Sequence, residues 1–471
     1  MTLAEHEARV AHDLECLGYQ GANWTRTEPH DGQPVYDVVI IGGGQSGLGA
    51  AFGLLRERIT NILVLDENLE GFEGPWDTYA RMMTLRTPKH LTCIDYGMPS
   101  LTFRAWWEAQ HGADGWAVID KIPRRDWMDY LRWYRRILDL PVRNGSRVVL
   151  VNPVRKGLFR LDIADGAPVL ARKVVFATGI QGGGQWQVPV LVSSLPAHRY
   201  AHTSEAVDFA ALAGKRIAIL GGGASAFDNA QHALAEGAGE VHVFVRRKTL
   251  PTVNPIRFME ANGMIPRFPA LSDAMKYRMM KSFFQRNQPP TNDTFARAAS
   301  YPGFRLHLGA PWLHVEETDE GVAVTTPDGT MLFDFLILST GIVTDPALRP
   351  ELALVADRIA RWSDRHAPAE GERDAVLDAH PYLGEGFEFQ GRQSGDADIL
   401  HGLFAFNYSG LINFGLSASA ISGLKQALPR LVKGLADQLF LDDHAAIVDD
   451  FLAYAEPEFT ASWTPGGKAA A

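Results

Sequence analysis

Two stretches of this chain place small residues where an apolar strand gives way to a helix: Gly42, Gly44 and Gly47 in VYDVVIIGGGQSGLGA, and Gly221, Gly223 and Ala226 in KRIAILGGGASAFDNAQ. The chemistry suited to that spacing is phosphate binding. The first small residue permits the tight turn, the second lets backbone approach a pyrophosphate, and the third lets helix and strand pack closely. Gln45 and Ser46 open the first helix and Ala224 and Ser225 the second, where free N–H groups and the positive dipole end face an anion. The strands that follow end in opposite charge. Asp66, with Glu67 as the register alternative, closes NILVLDEN and can accept from ribose hydroxyls, whereas Arg246 and Arg247 close EVHVFVRR and suit a 2′-phosphate. Opposite signs imply two dinucleotides, FAD on the first unit and NADPH on the second. Glycine turns also serve packing alone, and paired arginines also occur at solvated strand ends.

Positioning these groups requires alternating strands and helices, the pattern of an α/β fold with parallel sheets and crossover helices. A strand over 35–41, a helix over 46–57 and a second strand make one βαβ unit, and the pattern restarts near residue 216. The chain is therefore expected to carry two Rossmann-like dinucleotide-binding domains. Residues 1–34 form a helix and linker, with Leu3, Val10, Leu14 and Leu17 on one packed face. Residues 35–200 and 336–455 form a discontinuous FAD domain, and 201–335 an inserted NADPH domain with helical character at about 255–300. Asp328-Gly329 reads as a hairpin turn, the last long helix spans about Ala418 to Leu435, and the tail 456–471 is loose.

With 471 residues, two or more sizeable cores are expected. A formal charge of −10 offers no basic excess for a nucleic-acid backbone. Cys16 and Cys93 form no CxxC pair, disulfide framework or thiolate metal site, which suits the cytosol. The histidines show no HExxH spacing, and no GxSxG elbow occurs. Neither a signal peptide nor a membrane span is legible: the apolar run 38–55 carries too many glycines for a spanning helix.

The order GGGQSG, VVFATG, GGGASA, VRR and LILSTG resembles the two-dinucleotide-binding flavoproteins, most of all the class B flavin-dependent monooxygenases, from about residue 35 to 440. The resemblance implies that Thr178, Gly179, Thr340 and Gly341 lie in connectors between the domains. Trp76 in EGPW stands where the family has Gly-Gly-x-Trp, with Glu73 in place of the first glycine. MTLRTPKHLT resembles the N-hydroxylating branch, which implies that Lys89, six residues after Met83, meets an anionic substrate, with Arg86 beside it. His202 and Thr203 resemble the end of an FxGxxxH fingerprint, although Pro196 and His198 replace its Phe and Gly, which counts against Baeyer–Villiger chemistry. Asn407 precedes the final helix, near where the resemblance puts the flavin's pyrimidine edge; an ordinary loop asparagine is the alternative.

The implied reaction is hydride transfer from NADPH to FAD, addition of dioxygen, and oxygen transfer from a hydroperoxyflavin to an electron-rich or anionic nitrogen compound. ARMMTLRTPKHLT and FDNAQHALAEGAGEVHVFVRR are similar to bacterial FAD-dependent urate hydroxylases, which implies an anionic purine, with amine hydroxylation close behind. Two other readings stay open: an NADPH-dependent reductase of a quinone or electron carrier, and a non-enzymatic dinucleotide sensor. The aromatics between residues 76 and 134 suit either a water-excluding wall or plain core packing.

Overall fold

The computed structural model describes residues 1–19 and 21–462, so the loose tail expected from 456 lies largely outside the described residues. Its first sheet has seven strands. Val35–Ile41 pairs in parallel with Ile62–Leu65 on one side and Val169–Phe176 on the other. Leu158–Ile163 and Val148–Arg155 extend the sheet antiparallel, and Leu403–Phe404 returns from far along the chain to pair with Val169–Phe176. The central strand is buried almost throughout, which explains its unbroken apolar run: a parallel strand covered on both faces has no polar side to show.

The second sheet is all parallel, in the order Phe304–Leu308, Glu240–Val245, Arg216–Leu220, Phe335–Leu338, Tyr200–His202. Phe335–Leu338 thus belongs here, and a boundary drawn at 336 cuts through a strand; the chain rejoins the first unit only after it. Sequence alone misplaced this step because a fully buried strand looks alike in either sheet. An antiparallel meander, His314–Thr318, Gly321–Thr326 and Gly329–Phe333, covers one face of the second sheet. Thr326 pairs with Gly329, so the hairpin turn is Pro327-Asp328, one residue earlier than expected.

Helices Phe103–Val118 and Arg124–Ile137 absorb most of the aromatics. Phe103 stacks on Trp107 at 5.7 Å and Trp127 packs at a tilt against Tyr130 at 5.2 Å, all buried in the first core. These rings are packing, not a wall around a cleft. The N-terminal helix Leu3–Cys16 buries His6, Val10 and Leu14, while Leu17 falls beyond its end and is exposed. A Thr2–Glu5 capping box fixes its start.

The last helix runs from Ile421 to Ala453, well past Leu435, and Pro429 lies inside it. Its buried stripe from Ile421 to Leu439 docks on the first glycine helix, Gln45–Arg56. The approach is close enough that a Cβ at Gly49 would lie 2.6 Å from Leu428 Cδ1, and one at Gly53 2.6 Å from Val432 Cγ2. Beyond the apolar stripe, Lys173 and Arg172 hold the helix by donating to Asp442 at 2.7 Å and Asp443 at 2.6 Å. Past Leu439, ion pairs rather than apolar periodicity continue the docking.

Candidate functional site

Each glycine turn sits at the carboxyl end of a central parallel strand, where open α/β sheets leave a crevice. Gly42 has φ of +108°, and a Cβ there would meet the Ala177 carbonyl oxygen at 2.5 Å. A Cβ on Gly47 would lie 1.8 Å from the Gly42 carbonyl oxygen. Both glycines are required by the protein itself. Gly44 differs: its φ of −74° suits any residue and the nearest atom to an added Cβ is Gly74 Cα at 3.7 Å. The second unit repeats the contrast. Gly221 would clash with Ser339 at 2.3 Å, whereas Gly223, at φ −85°, has nothing nearer than Asn287 Oδ1 at 3.8 Å. Glycines that the chain does not need, at the lips of two crevices, fit a dinucleotide pyrophosphate on each turn. Ala226 fills the third position of the second unit and is fully buried.

Asp66 closes the second strand of the first unit and organises the turn. Its Oδ2 accepts from the Gly43 N–H at 2.7 Å, and its Oδ1 from the Asn68 N–H at 2.8 Å. Burial raises its pKa while these N–H groups oppose the rise. Glu67 points into solvent. Gln45 accepts from Trp127 Nε1 at 3.1 Å, and Ser46 donates to the Ala418 carbonyl at 2.7 Å. Trp76 packs edge-on against Trp127 at 6.5 Å, and its indole N–H is buried without an acceptor among the described residues. That orphaned donor is a second feature that fits a bound nucleotide.

On the second unit Ala224 is buried and Ser225 exposed at the start of helix Ala224–Ala235. Arg246 is exposed, with no hydrogen-bond partner among the described residues, whereas Arg247 donates to the Gln285 carbonyl at 2.9 Å. The two connectors meet between the sheets. Gly184–Trp186 pairs antiparallel with Ile342–Thr344, Thr340 Oγ1 donates to the Gln187 carbonyl, and Gln187 N–H donates to Gly341 at 3.0 Å. Thr178 accepts from Asn407 Nδ2 at 3.1 Å, and Tyr408 N–H donates to Gly179 at 3.1 Å. Sequence reasoning missed a ring stack at this junction: Trp186 lies 4.8 Å from His202 and 6.4 Å from Tyr79. Burial holds His202 neutral, with a pKa of about 4, and pushes the Tyr79 phenol up to about 12. Only the family likeness of the His-Thr pair pointed there, because these three residues are far apart in the chain.

Lys89 and Arg86, expected at a substrate, and Asn407, expected near the flavin's pyrimidine edge, each bond to other parts of the chain. Lys89 Nζ donates to the carbonyls of Trp116 at 2.7 Å and Ile119 at 2.5 Å and lies 4.8 Å from the Trp116 ring, so it caps helix Phe103–Val118. Arg86 pairs with Asp228 on helix Ala224–Ala235. Asn407 spends its amide on Thr178 and the Gly182 carbonyl and its oxygen on the Ser409 N–H at 2.9 Å. Spacing gave no sign of these partners, which come from distant segments.

Two parallel sheets, each with a glycine turn at its crevice, joined by two laced connectors, define a two-dinucleotide-binding oxidoreductase. A family profile described as pyridine nucleotide-disulphide oxidoreductase matches residues 39–257. The chain is 62% identical over 465 residues, 98% of each chain, to an FAD-dependent urate hydroxylase of Xanthomonas campestris pv. campestris. Among solved structures, ornithine hydroxylase from Pseudomonas aeruginosa aligns with TM-score 0.67 at 18% identity, over 86% of this chain and 100% of that one. L-lysine 6-monooxygenase from Pseudomonas syringae aligns with TM-score 0.67 at 18% identity, over 86% of this chain and 99% of that one. These two likenesses show the shared fold. This chain belongs to the class B flavin-dependent monooxygenases, the family of its Xanthomonas relative. Among the described residues no helix is long and apolar enough to cross a membrane, and Cys16 and Cys93 are free thiols, one exposed and one buried.

Proposed function

We propose that this chain is an FAD-dependent monooxygenase that uses NADPH and dioxygen to hydroxylate urate or a closely similar anionic purine in the cytosol. The observation that carries the reading is the 62% identity to a urate hydroxylase sustained over 98% of both chains. Bound and reduced, the flavin supplies the oxygen-activating chemistry. The chain's own residues bind, orient and exclude water. Gly42 to Gly47 hold the FAD pyrophosphate and Asp66 keeps that turn rigid; Gly221 to Ala226 hold the pyrophosphate of NADPH, with Arg246 taking its 2′-phosphate. Tyr79, Trp186 and His202 close the junction with rings that stay uncharged at neutral pH, which favours a dry meeting place for the two cofactors.

Lys89 counted towards an anionic substrate of either kind, purine or amine, and its ammonium donates to two carbonyls at a helix end, so the preference for urate rests on the relative rather than on that lysine. The purified protein should oxidise NADPH faster with urate than with ornithine or lysine, use NADPH more efficiently than NADH, and place labelled oxygen from dioxygen in the product. No stimulation by urate would end the reading. Rapid quinone reduction without label would move it to the reductase.

A further inference from the structure

Arg86 and Lys121 flank a short ladder between two segments of the first unit. Thr84 bridges Pro123, the Leu85 N–H donates to the Ile122 carbonyl at 2.8 Å, and the Arg124 N–H to the Met83 carbonyl at 3.0 Å. Leu85 and Ile122 are buried in the first core. Their neighbours reach the opposite way. Arg86 pairs with Asp228, and Lys121 Nζ donates to Asp293 at 3.0 Å. Both acids stand on helices of the second unit, Ala224–Ala235 and Asn292–Ala299. Each is anchored by a nearby ring on its own helix, Phe227 next to Asp228 and Phe295 two residues after Asp293, whose centroids lie 5.4 Å apart, Phe227 within the second core and Phe295 packed against it. Arg257 adds a bond to the Arg86 carbonyl at 2.6 Å. Asp228 is only 4% exposed, and removing one partner of so buried a pair leaves an uncompensated charge.

These contacts join one glycine turn to the other. The ladder runs into helix Arg124–Ile137, whose Trp127 holds Gln45 at the first turn. Asp228 stands about one helical turn beyond Ala224, which opens the helix at the second. We propose that Arg86–Asp228, seconded by Lys121–Asp293, is a positioning clasp that fixes the second glycine turn relative to the first, so that nicotinamide and flavin meet at hydride-transfer distance. The inference rests on reading the two turns as the NADPH and FAD sites. Neither cation touches a reacting atom; both act through the helix that carries the second turn.

The test uses the full-length holoenzyme with Arg86→Gln, Asp228→Asn, and the reversed pair Arg86→Asp with Asp228→Arg. Both single variants are expected to keep their FAD and their rate of flavin reduction by dithionite. Flavin reduction at saturating NADPH should slow about tenfold or more, as small misplacements do, and product per NADPH should fall. The reversed pair should recover part of the loss. Unchanged hydride transfer and coupling in both single variants would overturn the clasp. If those variants lose FAD, the more exposed Lys121→Gln and Asp293→Asn decide in the same way. If the wild type oxidises no NADPH, the proposed function fails, and the clasp is judged on the FAD-free protein by hydrogen exchange. Faster exchange across 83–86 and 224–230 in Asp228→Asn supports the clasp; equal exchange refutes it.

Discussion

Gly44 and Gly47 are three residues apart and chemically identical, yet they answer to different masters. Gly47 has no room for a methyl group because the Gly42 carbonyl is in the way, so Gly47→Ala should disrupt the turn and destabilise the FAD-free protein. Gly44 has room in the protein alone. Gly44→Ala should leave the melting of FAD-free protein unchanged to within about 0.5 kcal/mol while lowering flavin content on reconstitution. Thermal melting beside flavin absorbance separates the two cases; equal flavin content in Gly44→Ala and wild type would remove the close approach at that position. At this scale the sequence was most informative, because backbone constraints on glycine are local and leave a fixed spacing. It was least informative for Lys89, Arg86 and Asn407, whose partners lie in segments that only the fold brings near.

At the scale of elements, Lys89 belongs to a helix terminus. Helix Phe103–Val118 ends without a basic residue of its own in the last turn, and the Lys89 ammonium, arriving from an earlier loop, satisfies two of its final carbonyls. Lys89→Met should therefore cost about 1 to 3 kcal/mol of stability and leave the KM for urate unchanged. A large rise in KM with unaltered melting would return Lys89 to the substrate. The strands and glycine helices were legible from their apolar runs, including Val35–Ile41 to the residue. The long final helix was cut short because ion pairs through Asp442 and Asp443 replace the apolar stripe after Leu439, and no periodicity marks that change.

Across the whole molecule, acid should act through groups that the fold keeps in one protonation state. Burial holds His202, His242 and His380 neutral, each with a pKa of about 4, and Lys173 with His401 holds Asp442 ionised, with a pKa of about 2, against the cost of its burial. All four values lie below those of the unfolded chain, so unfolding takes up protons. The histidine contribution is fully present above about pH 6.5 and is lost as the pH falls towards 4; the Asp442 contribution starts to fall near pH 4 and is gone below about 2. Denaturant midpoints should therefore drop in two stages, and His380→Phe, at a site with 1% exposure, should make the upper one shallower by removing one of its three histidines. An unaltered upper stage would place its origin elsewhere.

The last helix also bears on how the polypeptide is made. Leu424, Leu428, Leu431 and Leu435 fill a core begun by residues 38–65, so the first sheet stays open on one side until Leu435 has emerged from the ribosome. The second sheet is complete once Leu338 emerges. Synthesis thus delivers a finished middle between halves that must wait for each other, and a premature stop before Ile421 would leave that middle compact while the flanking sheet exposed its unfilled face to chaperones or aggregation.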